Sequence, residues 1–121
     1  MNKEDYVSFE VAKLLKEKGY DEECGLAIGV NSREGERYIT HRTNSELPHD
    51  ICSKPTLYEA QKWLREKHNM EVSVAYCRNR ISWYYWIGLL SYNDGEVKFG
   101  FNFLSYEEAL NKGILEALKL I

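Results

Sequence analysis

An imidazole and a thiol stand three residues apart at His49-Asp50-Ile51-Cys52, and two arginines precede an aromatic run at Arg78-Asn79-Arg80-Ile81-Ser82-Trp83-Tyr84-Tyr85-Trp86. These are the two places where residue type and spacing could do specific chemistry. A cysteine nucleophile needs a base within hydrogen-bonding reach and an oxyanion hole, and a local interval supplies neither. A metal site built from His41, His49 and Cys52 matches no common zinc spacing and brings no fourth ligand. Gly25 and Gly29 bracket a strand and do not precede a helix, so no phosphate-binding loop is present. The carboxylates have ordinary explanations: Glu10, Glu59, Glu107 and Glu108 sit at helix starts, and Asp21, Glu22 and Glu23 fall in a polar connection. The sequence therefore reads as a non-enzymatic protein with no metal and no cofactor.

The aromatic run is the better candidate. On an extended chain Trp83 and Tyr85 share one parity, while Tyr84, Trp86 and Tyr92 share the other. Rings on a sheet surface can stack nucleic-acid bases, at about 1–3 kcal/mol per base, and they can equally anchor a protein interface. A central strand covered by helices on both faces would simply bury them. All three readings are open from the residues alone. The candidate binding surface is Tyr84, Trp86 and Tyr92 with Arg78 and Arg80. A net charge of −3 supplies no global attraction for nucleic acid, so a protein partner or self-association is preferred and single-stranded nucleic acid is the alternative. A second basic group, Arg33, Arg37, His41 and Arg42, is diluted by Glu34, Glu36 and Glu46 and reads as a solvated mixed-charge face.

Three capped helices must position these residues. Ser8, Thr56 and Ser105 each open an apolar helical pattern with alanine four places on, at intervals of 48 and 49 residues. A Ser or Thr oxygen can accept from an unpaired N–H of the first turn, and at the second and third sites Glu59 and Glu108 complete a capping box. Gly19 and Asn69 suit the left-handed position that ends the first two helices. Leu26, Ile28 and Val30 alternate, Asn31 to Gly35 has turn chemistry, and a second strand follows over 37–42. Thr43 to Pro55 is polar and proline-broken, and it reads as an irregular connection. Met70 to Tyr76 and Ile81 to Tyr92 form further strands. Asn93-Asp94-Gly95 is a hairpin turn, and beyond it Val97, Phe99, Phe101 and Phe103 share one face, expected to be buried. Helix three runs on to Ile121, with Gly113 explained if it lets the helix approach a sheet closely.

The predicted order is α-β-β-α-β-β-β-α: a single α+β domain over residues 1–121, with a mainly antiparallel five-stranded sheet packed against three helices. Helices one and three are expected to be neighbours. The helix starts suggest an internal repeat of 8–55 and 56–104 followed by a closing helix over 105–121. The chain length suits one hydrophobic core, and no apolar run approaches the roughly 20 residues of a membrane helix. Three cysteines without a CxxC, and acids in Met1-Asn2-Lys3-Glu4-Asp5-Tyr6 where a signal peptide carries positive charge, give a cytoplasmic expectation.

Tyr6 to Gly19, the Pro55 to Asn69 helix with its Trp63-Leu64-Arg65-Glu66 segment, and the closing Ser105-Tyr106-Glu107-Glu108-Ala109 helix resemble those of small uncharacterised proteins of bacteriophages and mobile elements of gut bacteria. The shared motifs are fold motifs spanning most of the chain. The resemblance implies a phage-type accessory role in a bacterial cytoplasm and carries no site residue.

Overall fold

Ser8, Thr56 and Ser105 all start helices, and they do so through their side-chain oxygens. In the computed structural model, which describes residues 3–29, 37–90 and 98–121, Ser8 Oγ accepts from the N–H of Val11 at 3.3 Å and opens α1 (Phe9–Glu17). Thr56 opens α2 (Leu57–His68) with a complete capping box: Glu59 N donates to Thr56 Oγ1 at 3.1 Å, and Thr56 N donates to the Glu59 carboxylate at 2.9 Å. Ser105 opens α3 (Tyr106–Leu118) by accepting from Glu108 N at 3.1 Å. Here the box differs from expectation, because the Glu108 carboxylate accepts from Leu104 N, one residue before the cap. Gly19 at φ 94° and Asn69 at φ 53° take the left-handed positions behind α1 and α2.

The strands form two antiparallel sheets of three. In the first, β1 (Leu26–Gly29) lies between β2 (Arg37–Ile39) and β3 (Ile51–Ser53); in the second, β5 (Ser82–Leu89) lies between β4 (Met70–Cys77) and β6 (Lys98–Phe103). The α+β class holds, but the single five-stranded sheet does not. The additional strand, β3, lies in the segment read as irregular. It is too short to show a period of two, and it is fixed instead by long-range bonds. Lys54 N donates to Leu26 O at 2.8 Å, and Lys16 of α1 holds the carbonyls of Pro48 and Ile51. Side chains also close two of the sheet edges against further pairing: Asn44 Oδ1 accepts from Ser53 N on β3 at 2.8 Å, and Gln61 Nε2 donates to Val72 O on β4 at 2.6 Å. Each half is thus a helix followed by three strands, yet the first strand is central in one sheet and the middle strand in the other.

One core joins both sheets and all three helices, with Val11, Leu15, Leu64, Val72, Ile87, Ile114 and Leu118 buried in it. Helices α1 and α3 are neighbours, as expected. The Asn111 amide accepts from Ser8 N at 2.9 Å and donates to Ser8 Oγ at 3.1 Å, while Lys18 Nζ reaches Ile121 O at 2.8 Å. The turns expected at Asn31 to Gly35 and Asn93 to Gly95, together with Val30, Val97, Arg33 and the side chain of Arg37, lie outside the described residues. No helix is long and apolar enough to cross a membrane among the described residues.

The β4–β5 turn, Arg78 to Ile81, is closed by Ile81 N donating to Arg78 O at 3.3 Å and puts Ile81 at φ 50°. A β-branched residue in the left-handed region is strained by about 1–3 kcal/mol, and at 80% exposure Ile81 recovers little by burial. Ile81→Gly is expected to raise stability by about 1 kcal/mol after glycine's own entropic penalty, read as a higher urea midpoint at unchanged m-value.

Candidate functional site

Register decides which rings are covered. Val72 pairs with Ile87 and Val74 with Tyr85, which places these side chains on the face of the second sheet that meets α3. The alternate pairs, Ser73 with Trp86 and Ala75 with Tyr84, lie on the opposite face. Tyr85 is seated on the helix side by two glycines. Its Cβ and Cγ lie against Gly113 of α3, and its ring covers Gly100 of β6 so closely that a Cβ there would collide with it. Gly100 must therefore face inward, and its neighbour Phe99, opposite Trp86, faces outward.

The same constraint overturns the expected phenylalanine stripe. A bulge shifts the β5–β6 register between Trp83 and Tyr85, with Asn102 at φ 72° inside it. The shift returns Phe103 to the inner face, opposite Trp83 and 5.7 Å from the Tyr85 ring centre. Phe99 and Phe101 remain outside, 52% and 40% exposed. The sandwiched reading of β5 is corrected likewise: Tyr85 and Ile87 are buried, whereas Tyr84 and Trp86 are half-buried on a face against which no described helix packs.

That outer face is a continuous aromatic surface. Tyr84 stacks on Phe101 at 5.3 Å and 24°, Phe99 lies near-parallel to Phe101 at 6.0 Å, and the Arg80 guanidinium sits 4.4 Å from the Phe101 ring centre. The Trp86 indole folds over Gly88, where a Cβ would come within 2.8 Å of Cζ3. Of the residues singled out in the sequence, Tyr84, Trp86 and Arg80 are brought together, and Arg78 projects from the adjoining turn. Tyr92 lies outside the described residues. Phe99 and Phe101 were missed; the signal for them was Asn102, a residue type that tolerates the left-handed conformation a bulge requires. Trp83 belongs to the other face, edge-on to Tyr76 at 5.2 Å and to Tyr106 at 5.6 Å.

The thiols are poorly placed for nucleophilic chemistry. Cys52 is fully buried, and burial pushes its thiol above the usual range despite the nearby Lys16, Lys13 and Lys54; Cys24 is raised in the same way. His49 is exposed on the surface. Among the described residues no group of three His, Cys, Asp or Glu side chains could hold a metal ion. An open groove of about 380 Å³ beside α2, lined by Tyr20, Trp63, Lys62 and Glu66, carries charges of both signs and neither a thiol nor an imidazole. Iodoacetamide on the native protein is expected to modify Cys77, which is half-exposed on the outer face, well before Cys24 or Cys52; peptide mass mapping reads the order.

Comparison with family models, with curated proteins and with solved structures finds no match to this chain.

Proposed function

We propose that this chain is a non-enzymatic accessory protein that acts by protein contact through the outer face of its second sheet. The observation that carries this reading is the exposure of Phe99 and Phe101 beside Tyr84 and Trp86 on a face left uncovered by the helices. Leaving large rings in water has a hydrophobic cost that a partner would remove, and contiguous apolar patches of this kind mark interaction surfaces. The phage-type resemblance supports an accessory role in the same direction.

Single-stranded nucleic acid is the second reading, favoured by Arg80 over Phe101 and by Arg78 nearby. It is the weaker one. Phe101 already has a guanidinium over it and two near-parallel rings against it, which leaves little ring face for a base. The net charge also opposes it.

A photo-reactive phenylalanine analogue at position 99, with Tyr58 on α2 as the control position, separates the two in a bacterial lysate. Protein adducts, or a cross-linked second copy, from position 99 alone are the expected result. Adducts that vanish with nuclease would support the alternative, and equal adducts from both positions would refute a specific face.

A further inference from the structure

We propose that the partner supplies an extended, acidic polypeptide segment that adds as a strand to the outer edge of β6. This rests on the protein-contact reading and specifies its geometry and charge. The Leu90 N to Asn69 O bond, 2.7 Å long, shows which residues of β5 turn their backbone groups toward β4: the even ones. Tyr85 and Ile87 therefore turn toward Gly100 and Lys98 of β6, and the intervening Phe99 directs its N–H and C=O away from the sheet. The edges of β3 and β4 carry side-chain bonds from Asn44, Lys16 and Gln61. No side chain among the described residues bonds the outward groups of Phe99. The outer edge of β6 is thus left able to accept a strand beside the aromatic surface.

Charge selects the chemistry of that strand. The chain is acidic overall, yet the rim formed by Arg78 and Arg80 has no carboxylate at ion-pair distance among the described residues. Among the described residues around the sheet, Glu71 is matched by Arg65 at 3.6 Å and Lys98 by Glu116 at 3.4 Å, while Glu108 meets Leu104 N. Arg80 comes from the β4–β5 turn and reaches across to Phe101 on β6, so its charge stands near the free edge. A carboxylate on an added strand would meet it, with the strand's apolar side chains beside Phe99 and Phe101. Nucleic acid would match the charge but cannot offer the paired N–H and C=O of a strand.

The test uses the full chain and a short peptide of alternating valine and glutamate, followed by amide NMR. Expected are shifts at Phe99 and Phe101, slowed exchange of the Phe99 amide, and binding about tenfold tighter than that of the valine–lysine counterpart. Arg80→Glu should reverse that order, and backbone N-methylation of the peptide at alternate residues should weaken binding by about tenfold. Equal affinity for the acidic and basic peptides would overturn the acidic partner, equal affinity for the methylated peptide would overturn strand addition, and absence of binding would overturn both. The cross-link from position 99 then judges the broader reading separately. Tighter binding of a thymidine oligonucleotide at the same amides would replace the polypeptide with nucleic acid.

Discussion

Gly113→Val is expected to lower the stability of the domain by about 3 kcal/mol. A Cβ at this position would stand 2.7 Å from Val72 Cγ1 and 3.0 Å from Tyr85 Cγ. Both neighbours are buried and neither can swing aside. Glycine inside a helix ordinarily costs about 1 kcal/mol against alanine, so on an uncovered helix even Gly113→Ala would stabilise. Here the sign is reversed, because close approach of α3 to the sheet depends on the missing side chain. Tyr85→Ala, itself costing about 3–4 kcal/mol, should partly relieve the clash. The double variant is therefore expected to lose less than the sum of the two single ones in urea unfolding. The same contact matters for function. Tyr85 held between Gly113 and Gly100 fixes the inner face of the sheet, and with it the orientation of the rings on the outer face.

Asn44→Ala should cost nearly as much, about 3 kcal/mol. The Asn44 amide is buried, donates to Tyr20 O at 2.7 Å and accepts from Ser53 N at 2.8 Å. Its removal strands a backbone acceptor and a backbone donor in one place. Asn44→Asp keeps the acceptor for Ser53 but turns a carboxylate toward the Tyr20 carbonyl, so it should not rescue stability at neutral pH. Thermal unfolding gives the magnitude. Faster hydrogen exchange at Ser53 would show that the loss lies at the edge of β3.

The helices were legible because their signals are local. A hydroxyl at the cap, an acid in the first turn, and Gly19 or Asn69 behind α1 and α2 each act within one turn, and all three helices start where those residues put them. Helix α3, however, stops at Leu118 instead of running on to Ile121, and Leu120 and Ile121 are exposed. Glycine at position 113 was also read for the right reason. The sheets were harder, because pairing is decided by distant residues. Nothing near Ile51 to Ser53 announces a strand; Lys16, Asn44 and the β1 backbone make it one. Asn44 and Gln61 likewise occupy the edges of β3 and β4, which no periodicity records.

The binding face was half legible. Alternation along β5 separated Tyr84 and Trp86 from Trp83 and Tyr85, and that separation is kept. Along β6 the same rule failed, since one left-handed residue, Asn102, changes the parity between Phe101 and Phe103. A regular stripe of phenylalanines is a sound reason to expect burial, and a ring on the neighbouring strand that needs Gly100 beneath it is a stronger reason for the strand to turn the other way.

Residue-resolved hydroxyl-radical footprinting of the isolated protein tests the central claim most directly. An uncovered outer face predicts rapid oxidation at Phe99 and Phe101 and strong protection at Tyr85 on the same sheet. Protection of Phe99 and Phe101 equal to that of Tyr85 would mean the face is already covered, and would contradict its role as a docking surface.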